Sequence, residues 1–444
     1  MKHLIQNQYK IGSIPLKGSF KGTITTDRMR MAKSAHSTWQ RTLRIMFVAQ
    51  LITAVGFSVM FPFLPLYVKD LGSSTGLSLD LLAGLVFSSQ AFTMMLASPV
   101  WGTLADRYGR KLMVERAMFG GALVLLAMAF VCTAEELVLL RALQGLVTGT
   151  IGAANALVAA TVPRERTGYA MGLLQVALGA GVALGPLLGG VVADRYGYRT
   201  AFYLTSVLLL VAGFMVLFGV KEAARPVRAE TSATASVARR WRSILAAPGV
   251  MVTYLLRFVN QSGRVMFLPV LPLFIEQLMA DAAVTNTFTG LVIGVAAAST
   301  TVSAVFLGRL GDRIGHAHIL LVCSLASALF YLLQSLVTRG WQLLALQALA
   351  GVAMGGLVPA ISALLAHYTP PGDEGAVYGL DNSINSGARA LAPMLGVSVG
   401  ALFGLRATFV LAAALYVLAA AVAQWGLKPA SPPISKPDFP APRA

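Results

Sequence analysis

Length, composition and charge exclude a water-soluble protein: the chain has 444 residues, of which 56% are hydrophobic and only 12% charged, against about 25% charged residues in a soluble domain. The mean hydropathy of +0.71 places most of the surface in lipid. The basic residues behind the net charge of +17 lie in an N-terminal segment, in short loops and in one linker. This distribution is typical of segments that set the membrane topology and contact anionic lipids, and it does not indicate a nucleic-acid partner.

The N-terminal residues 1–44 are polar and basic and lack the apolar core and cleavage site of a signal peptide. They predict a disordered cytoplasmic tail. Twelve apolar segments of spanning length follow, so we predict an all-α integral membrane protein with twelve transmembrane helices. The predicted spans are 45–68, 80–103, 112–132, 135–161, 168–192, 199–220, 250–276, 286–308, 317–338, 341–367, 376–402 and 406–426.

The basic residues of the loops indicate the orientation. Most of them follow even-numbered spans: Arg107, Arg110, Lys111, Arg164, Arg166, Arg309 and Arg313, with six more in the linker 221–249. The positive-inside rule therefore predicts a multi-pass protein of the bacterial inner (plasma) membrane with both termini cytoplasmic. The linker separates an N-terminal half, 45–220, from a C-terminal half, 250–426, and residues 427–444 form a second cytoplasmic tail.

The two halves repeat each other. The stretch "GFSVMFPFLPLYVKDL" begins at Gly56, and "GRVMFLPVLPLFIEQL" begins 207 residues later at Gly263. The segments "GTLADRYG" at 102, "ALQGLVTG" at 142 and "GYRTAF" at 197 recur in the same order after 206 or 207 residues. This repeat predicts two pseudo-symmetric six-helix bundles related by an axis along the membrane normal, an architecture suited to alternating access.

Several motifs give the chain a resemblance to the major facilitator superfamily and, within it, to the twelve-span drug:proton antiporters. They are "GTLADRYGRK" at 102–111, "RALQGLVTG" at 141–149, "VALGAGVALGPLLGG" at 176–190 and "GFSVMFPFLPLY" in the first span. The sequence contains no phosphate-binding loop and no catalytic constellation, and its two cysteines, Cys132 and Cys323, form no metal motif. We therefore expect no enzyme, no cofactor and no metal.

In this family the first motif latches the cytoplasmic side of the two halves together. The resemblance assigns that role to Gly102, Asp106, Arg107, Gly109 and Arg110, and to Asp312 and Arg313 of the second half. The glycines permit a tight turn, and the acid and base four residues apart can pair at a helix end. A basic topogenic loop without a latch is the alternative.

The glycine-rich motif is found in exporters of the family and is generally missing from its uptake symporters. Its residues are Gly172, Gly181, Gly185, Pro186, Gly189 and Gly190. Glycines four residues apart form a bare stripe that lets another helix approach closely, and the proline frees a carbonyl and predicts a kink. Ordinary small-residue packing is the alternative.

Buried ionisable and polar side chains are candidates for function, because a charge in hydrocarbon costs about 2.5–3.5 kcal/mol. The candidates for proton coupling are Arg141, Asp381, Asp106 and Glu115. The candidates for the substrate cavity are Pro62, Pro65, Gln144, Asn155, Arg257, Asn260, Gln261, Arg264, Asn385 and Arg389. For Arg141 the alternative is a snorkelling side chain, and for Asp381 it is a structural ion pair with Arg389 or with an arginine of the seventh span.

The first span contains no acidic residue, whereas many cation exporters of the family carry one there. Together with the arginine-rich cavity, this predicts neutral, zwitterionic or anionic amphiphiles as substrates. The expected function is proton-driven efflux of drugs or other small molecules by a monomer. A dedicated exporter of one metabolite (a sugar or siderophore), an uptake symporter and a non-transporting sensor are the alternatives.

Overall fold

The computed structural model describes residues 21–163, 166–220, 249–279, 284–369 and 374–426, and within these ranges all regular structure is helical. The helices of the N-terminal half are α1 (Lys21–Ser58), α2 (Leu64–Leu71), α3 (Leu79–Tyr108), α4 (Arg110–Met128), α5 (Ala134–Val147), α6 (Thr150–Thr161), α7 (Thr167–Tyr196) and α8 (Tyr198–Gly219). Those of the C-terminal half are α9 (Val250–Val265), α10 (Leu271–Leu278), α11 (Thr285–Ile314), α12 (His316–Gln334), α13 (Gly340–Gly355), α14 (Leu357–Tyr368), α15 (Glu374–Phe403) and α16 (Leu405–Gly426).

These helices make twelve spans, because the first, fourth, seventh and tenth spans are each divided into two helices. The divided spans are α1–α2, α5–α6, α9–α10 and α13–α14. Helix lengths repeat between the halves: α3 and α11 have 30 residues, α4 and α12 have 19, and α8 and α16 have 22. The predicted fold class, an all-α membrane protein of two six-helix bundles, is confirmed.

Nine segments of the described chain are long and apolar enough to cross a membrane by length and composition alone. The three remaining spans depart from that pattern for visible reasons. Helix α9 of the seventh span has only 16 residues. Helices α1 and α4 carry charged residues at or before the start of their spans: Arg41 and Arg44 in α1, and Arg110, Lys111, Glu115 and Arg116 in α4. Short length and charge, not the lack of a helix, account for the lower count.

Helix α1 begins well before the predicted membrane span. It starts at Lys21, so residues 21–44 are helical where the sequence predicts a disordered tail. No glycine or proline occurs between Gly22 and Gly56 to end the helix, and extending an existing helix is far easier than starting one. Residues 1–20, most of the linker (221–248) and the C-terminal segment 427–444 lie outside the described residues.

Prolines divide the first and seventh spans at corresponding points. Pro65 and Pro272 lie in the first turn of α2 and α10, where a missing N–H leaves no intrahelical hydrogen bond unmade. Short-range backbone hydrogen bonds continue through the gap, for example from Phe61 N to Ser58 O at 3.2 Å. Backbone hydrogen bonds therefore bridge the division, which limits the number of unpaired groups in the membrane interior.

The two halves meet along two helix pairs, α7 with α11 and α3 with α15. We call the side of the bundle on which α8 ends and α9 begins the tail side, and the opposite side, on which α2 ends and α11 begins, the far side. Contacts between the halves are tight on the far side. A Cβ built at Gly84 would lie 3.0 Å from Met394 Sδ, and Lys69 Nζ lies 2.6 Å from Glu276 Oε2.

On the tail side the same helix faces separate. Val176 of α7 and Val305 of α11 are 54% and 53% exposed, although they continue the faces that touch on the far side. A Cβ built at Gly172 would have no atom within 4 Å. The structure is therefore closed on the far side and open towards the tail side.

Candidate transport site and gates

The glycine stripe of α7 packs against the first span of its own half. Gly181, Gly185 and Gly189 lie so close to that span that a Cβ at any of them would overlap its backbone. At Gly185 the overlap would be with Ser58 Oγ and the Val55 carbonyl oxygen. Ser58 Oγ also donates a hydrogen bond to the Gly181 carbonyl at 3.0 Å. The stripe thus joins two helices of one half backbone to backbone.

The opposite face of α7 packs against α11 of the other half, again at backbone distance. A Cβ at Gly190 would overlap the Asn286 carbonyl, and a Cβ at Gly290 would overlap the carbonyl of Pro186. Helix α7 continues through Pro186. Gly172 lies nearer the tail side, beyond the point where the halves part. The motif residues therefore serve two interfaces, one within a half and one between the halves.

Arg141 is buried in the N-terminal half and does not snorkel to the surface, since it is only 2% exposed. Its guanidinium donates to the Val86 carbonyl at 2.9 Å, to Gln144 Oε1 at 2.6 Å and to Gln90 Oε1 at 3.2 Å. It also lies 3.1 Å from the sulfur of Met60. All these acceptors are neutral, so the positive charge is hydrogen-bonded but not neutralised.

The seventh and eleventh spans are joined by a polar ladder within the C-terminal half. Arg257 Nε lies 2.8 Å from Asp381 Oδ1, and both side chains are largely buried. Arg257 also donates to Ser362 Oγ at 2.9 Å, which links the tenth span to the same pair. Of the alternatives for Asp381, the ion pair with an arginine of the seventh span is the one that the structure contains.

Further along this ladder positive charge accumulates. Asn385, one turn after Asp381, has a buried Oδ1 without a hydrogen-bond partner among the described residues. Arg389, one turn later, is exposed although it lies at the middle of α15. Arg264 adds a second positive charge on α9, which packs against α15. Neither guanidinium has an ion-pair partner in the described part of the chain.

The remaining cavity candidates are less accessible in this state. Asn260 and Gln261 are buried in α9, and Asn155 is half-buried in α6. Pro62 and Pro65 are both buried. The two prolines therefore shape the division of the first span and do not line open space while the tail side is open.

The motif between α3 and α4 forms a tight corner. Gly109 joins the two helices with φ of +100°, a conformation that favours glycine. Arg110 donates to the Ala156 carbonyl at 2.9 Å, and Arg107 is exposed. Gly102 and Asp106 lie in α3, but the surroundings of Gly102 and the position of the Asp106 side chain are outside what the structure describes. The pairing of Asp106 with Arg110 therefore stays a prediction.

Two further candidates form pairs along their own helices. Glu115 Oε1 lies 3.4 Å from Lys111 Nζ in the first turns of α4. In the second half Asp312 Oδ1 lies 3.3 Å from His316 Nε2, and Arg313 is exposed. Both contacts join side chains four residues apart and lie at the tail side.

Sequence reasoning missed Asp194, which joins the two halves on the far side. Its Oδ1 accepts a hydrogen bond from Asn286 Nδ2 at 2.7 Å, and its Oδ2 accepts one from the Thr287 backbone N–H at 2.7 Å. The signal was present in the sequence, because the segment "ADRYG" occurs both at 105–109 and at 193–197.

Two repeated six-span halves, packed through glycines and opening to one side around buried arginines, define a membrane transporter. The model of the Major Facilitator Superfamily matches residues 46–277 and 253–443. The chain belongs to this superfamily.

Similar proteins include two called multidrug resistance protein MdtG. The protein from Enterobacter lignolyticus is 36% identical over 383 residues, covering 86% of this chain and 91% of the relative. The protein from Salmonella typhimurium is 35% identical over 388 residues, covering 87% and 95%.

Solved structures share the fold at low sequence identity. A bacterial homologue of the human lysosomal transporter Spinster, inward-facing and unoccupied, has a TM-score of 0.73 at 14% identity and covers 87% of this chain and 96% of its own. A D-xylose-proton symporter has a TM-score of 0.72 at 15% identity and covers 88% and 98%.

The glycine stripe gives a first prediction. Gly185→Leu forces α7 away from α1, because no space exists for a side chain, and overpacking of this kind costs about 1–3 kcal/mol. We expect the variant to insert into the membrane but to lose efflux, measured as drug accumulation in cells that express equal amounts of protein. Gly152→Leu is the matched control, since a Cβ there meets no atom within 4 Å. Unimpaired efflux by Gly185→Leu would refute the hypothesis that transport depends on the close packing of the glycine stripe against α1.

The ladder gives a second prediction. Asp381→Ala leaves the Arg257 charge buried without its partner, which costs about 3–5 kcal/mol, so the melting temperature of the purified protein should fall. The double variant Arg257→Gln with Asp381→Asn should recover most of that stability. If Asp381 also carries the proton, the stable double variant will still lack proton-coupled transport; a double variant that regains full coupling would leave Asp381 with a structural role only.

Proposed function

We propose that the chain is a proton-driven antiporter that exports drugs or other small amphiphilic molecules across the bacterial inner membrane by alternating access. The observation that carries the proposal is its 35–36% identity, along most of its length, to proteins named for multidrug resistance. The glycine-rich contacts of α7 agree with export, because the motif is typical of exporters in the superfamily. The working unit is a monomer, since each chain contains both halves.

The tail side is the cytoplasmic side in this proposal. Arg107, Arg110 and Arg313 lie there, and the positive-inside rule places such basic loops in the cytoplasm. Both termini and the linker are then cytoplasmic, and the open state described above faces inward. This is the state in which an exporter takes up its substrate from the cell.

Proton coupling rests on a small number of buried charges. Arg141 is held by neutral acceptors, Asp381 is paired with Arg257, and Glu115 is close to Lys111. Protonation of Asp381 would leave the buried Arg257 cation unpaired and would weaken the link between the seventh and eleventh spans. Asp106 at the tail-side corner is a further candidate carboxylate. The proton gradient is the energy source, and no cofactor takes part.

The substrate class follows from the charge of the ladder. Arg264 and Arg389 place two positive charges together near the middle of the membrane, with the unpartnered oxygen of Asn385 one turn away. A cation would add to this repulsion, whereas a carboxylate or another anionic group would relieve it and form charge-assisted hydrogen bonds. We therefore propose neutral, zwitterionic or anionic amphiphiles as substrates.

Proton coupling is tested by substrate-induced proton movement in proteoliposomes containing the purified protein and a pH-sensitive dye. Wild-type protein should move protons against substrate, and Arg141→Gln should lose this coupling. The fold should tolerate the change, because Gln347 occupies the corresponding, equally buried position of the second half. Arg195→Gln, which changes an exposed arginine, is the control. Proton movement in the same direction as the substrate would indicate a symporter, and none at all would indicate a sensor.

Substrate charge is tested by direct binding to the purified protein. Arg264→Gln and Arg389→Gln should each weaken binding of an anionic amphiphile by about tenfold or more, the loss expected for a hydrogen bond to a charged group, and should leave a neutral amphiphile unaffected. Arg339→Gln, at an exposed far-side loop position, is the control. Tight binding of a dication such as methyl viologen by the wild-type protein would contradict the proposed substrate class.

A further inference from the structure

The far side holds a charged contact between the halves that the resemblance to the family does not account for. Asp194 lies in the last turn of α7, and its carboxylate faces the start of α11 in the other half. Oδ1 accepts hydrogen bonds from Asn286 N at 3.3 Å and Nδ2 at 2.7 Å, and Oδ2 accepts one from Thr287 N at 2.7 Å. Because α11 begins at Thr285, these backbone donors belong to its first turn, whose N–H groups have no partner within the helix. Asp194 thus caps a helix of the opposite half.

Among the described residues, this cap is a stronger charged contact between the halves than the Lys69–Glu276 pair on the same side. It combines a full negative charge with backbone donors and the positive end of a helix dipole. Asn286 is only 6% exposed and Asp194 is half-buried, so solvent screens this contact less than it screens a fully exposed pair. The other contact, Lys69 with Glu276, joins side chains that are 44% and 43% exposed, and exposed pairs of this kind contribute little.

The residues around Asp194 repeat those of the tail-side corner. The sequence "ADRYGRK" at 105–111 recurs as "ADRYGYR" at 193–199, 88 residues later. Each copy ends a 30-residue helix at a glycine with positive φ, +100° at Gly109 and +82° at Gly197. The next helix begins at the following residue in both cases. The two segments therefore build the same corner.

The two corners lie on opposite sides of the bundle, because three spans, an odd number, separate them. Asp106 is on the tail side and Asp194 on the far side. The first corner carries the carboxylate that, by family resemblance, latches the tail side to the start of the eleventh span. The second carries a carboxylate that is hydrogen-bonded to the start of the eighth span. Asp194 therefore lies opposite the first turn of a helix in the other half, and the resemblance implies the same arrangement for Asp106.

We propose that Asp194 is a far-side latch that works in alternation with the tail-side latch. Its bonds to α11 hold the far side shut while the tail side is open, and they must break before the far side opens. Asp106 then closes the tail side in the same way. This inference rests on alternating access, which is part of the proposed function, but not on the substrate or on the direction of transport.

The test measures the balance between the two states directly, by double electron–electron resonance on the full chain in lipid nanodiscs. The background variant is Cys132→Ser, because Cys132 is the exposed cysteine. One label pair, at residues 80 and 341, reports the far side, and a second pair, at 108 and 314, reports the tail side; all four positions are exposed. The pairs should move in opposite directions when the balance shifts.

Asp194→Ala should raise the population with a long far-side distance by about tenfold, the effect of losing one strong helix cap, and shorten the tail-side distance. Thr287→Pro provides a second route, because it removes one donor N–H at a position in the first helical turn where proline is tolerated. Lys69→Gln is the control and should shift the populations by less than about twofold. Unchanged distances in both Asp194→Ala and Thr287→Pro would overturn the proposal, and if only one of them folds, that variant decides.

The pairing of the two corners adds an independent requirement. Asp106→Asn should shift the populations in the opposite direction to Asp194→Asn, and the double variant should return towards wild type. A double variant that behaves like either single one would show that the corners do not oppose each other. Transport by the wild-type protein is measured separately. If the wild-type protein does not transport, the proposed function fails, but the distance measurements still test the latch. If the distances do not change in the variants while the wild-type protein transports, the latch fails and the proposed function stands.

Discussion

The structure depends on close backbone contact along α7, which has a neighbour at backbone distance on each of two faces. Gly185 on one face meets α1, and Gly190 on the other meets α11. Glycine in a helix interior costs about 1 kcal/mol relative to alanine in water. In a membrane a helix must keep its backbone hydrogen bonds, and helices associate through close packing. The cost of the glycines is therefore offset by the van der Waals contacts that form when two neighbouring backbones approach α7. One helix can therefore fix the shape of a half and form the contact along which the halves separate.

The buried charges divide into those that hold the fold and those that leave an unbalanced field. Arg257 and Asp381 neutralise each other and tie the seventh span to the eleventh. Arg141 has only neutral partners, and Arg264 lies near a second arginine. The first pair stabilises the C-terminal half in the state that the structure shows. Arg141 and Arg264 are positive charges without a negative partner among the described residues. The approach of a proton or of an anionic ligand would change their electrostatic energy, and the proposed transport cycle needs groups that respond in this way.

The sequence alone predicts the spans, the duplication and the glycine contact stripe, because these follow from hydropathy, self-similarity and helical spacing. It does not identify the partner of the stripe: spacing shows that Gly181, Gly185 and Gly189 share a face but not which helix covers it. It misses the extension of α1 back to Lys21, because polar composition says little about a helix that continues from an existing one. It also leaves open the partner of Asp381, since the choice between Arg257 and Arg389 depends on how two distant spans are packed.

Asp194 illustrates a different limit of prediction from the sequence. The repeat of 206–207 residues relates the two halves, and it is parallel, so it carries each motif to the same side of the membrane. The repeat of 88 residues from Asp106 to Asp194 spans an odd number of helices and carries a motif to the opposite side. Asp194 faces the first turn of α11 in the other half. In the proposed scheme Asp106 does the same on the tail side, so that both closed surfaces combine a carboxylate with the start of a helix. Because an alternating-access transporter must not open both sides at once, the balance between inward-facing and outward-facing states depends, in the proposed scheme, on the difference between two similar caps. A difference of that kind is small, which lets a single proton or a bound substrate reverse it.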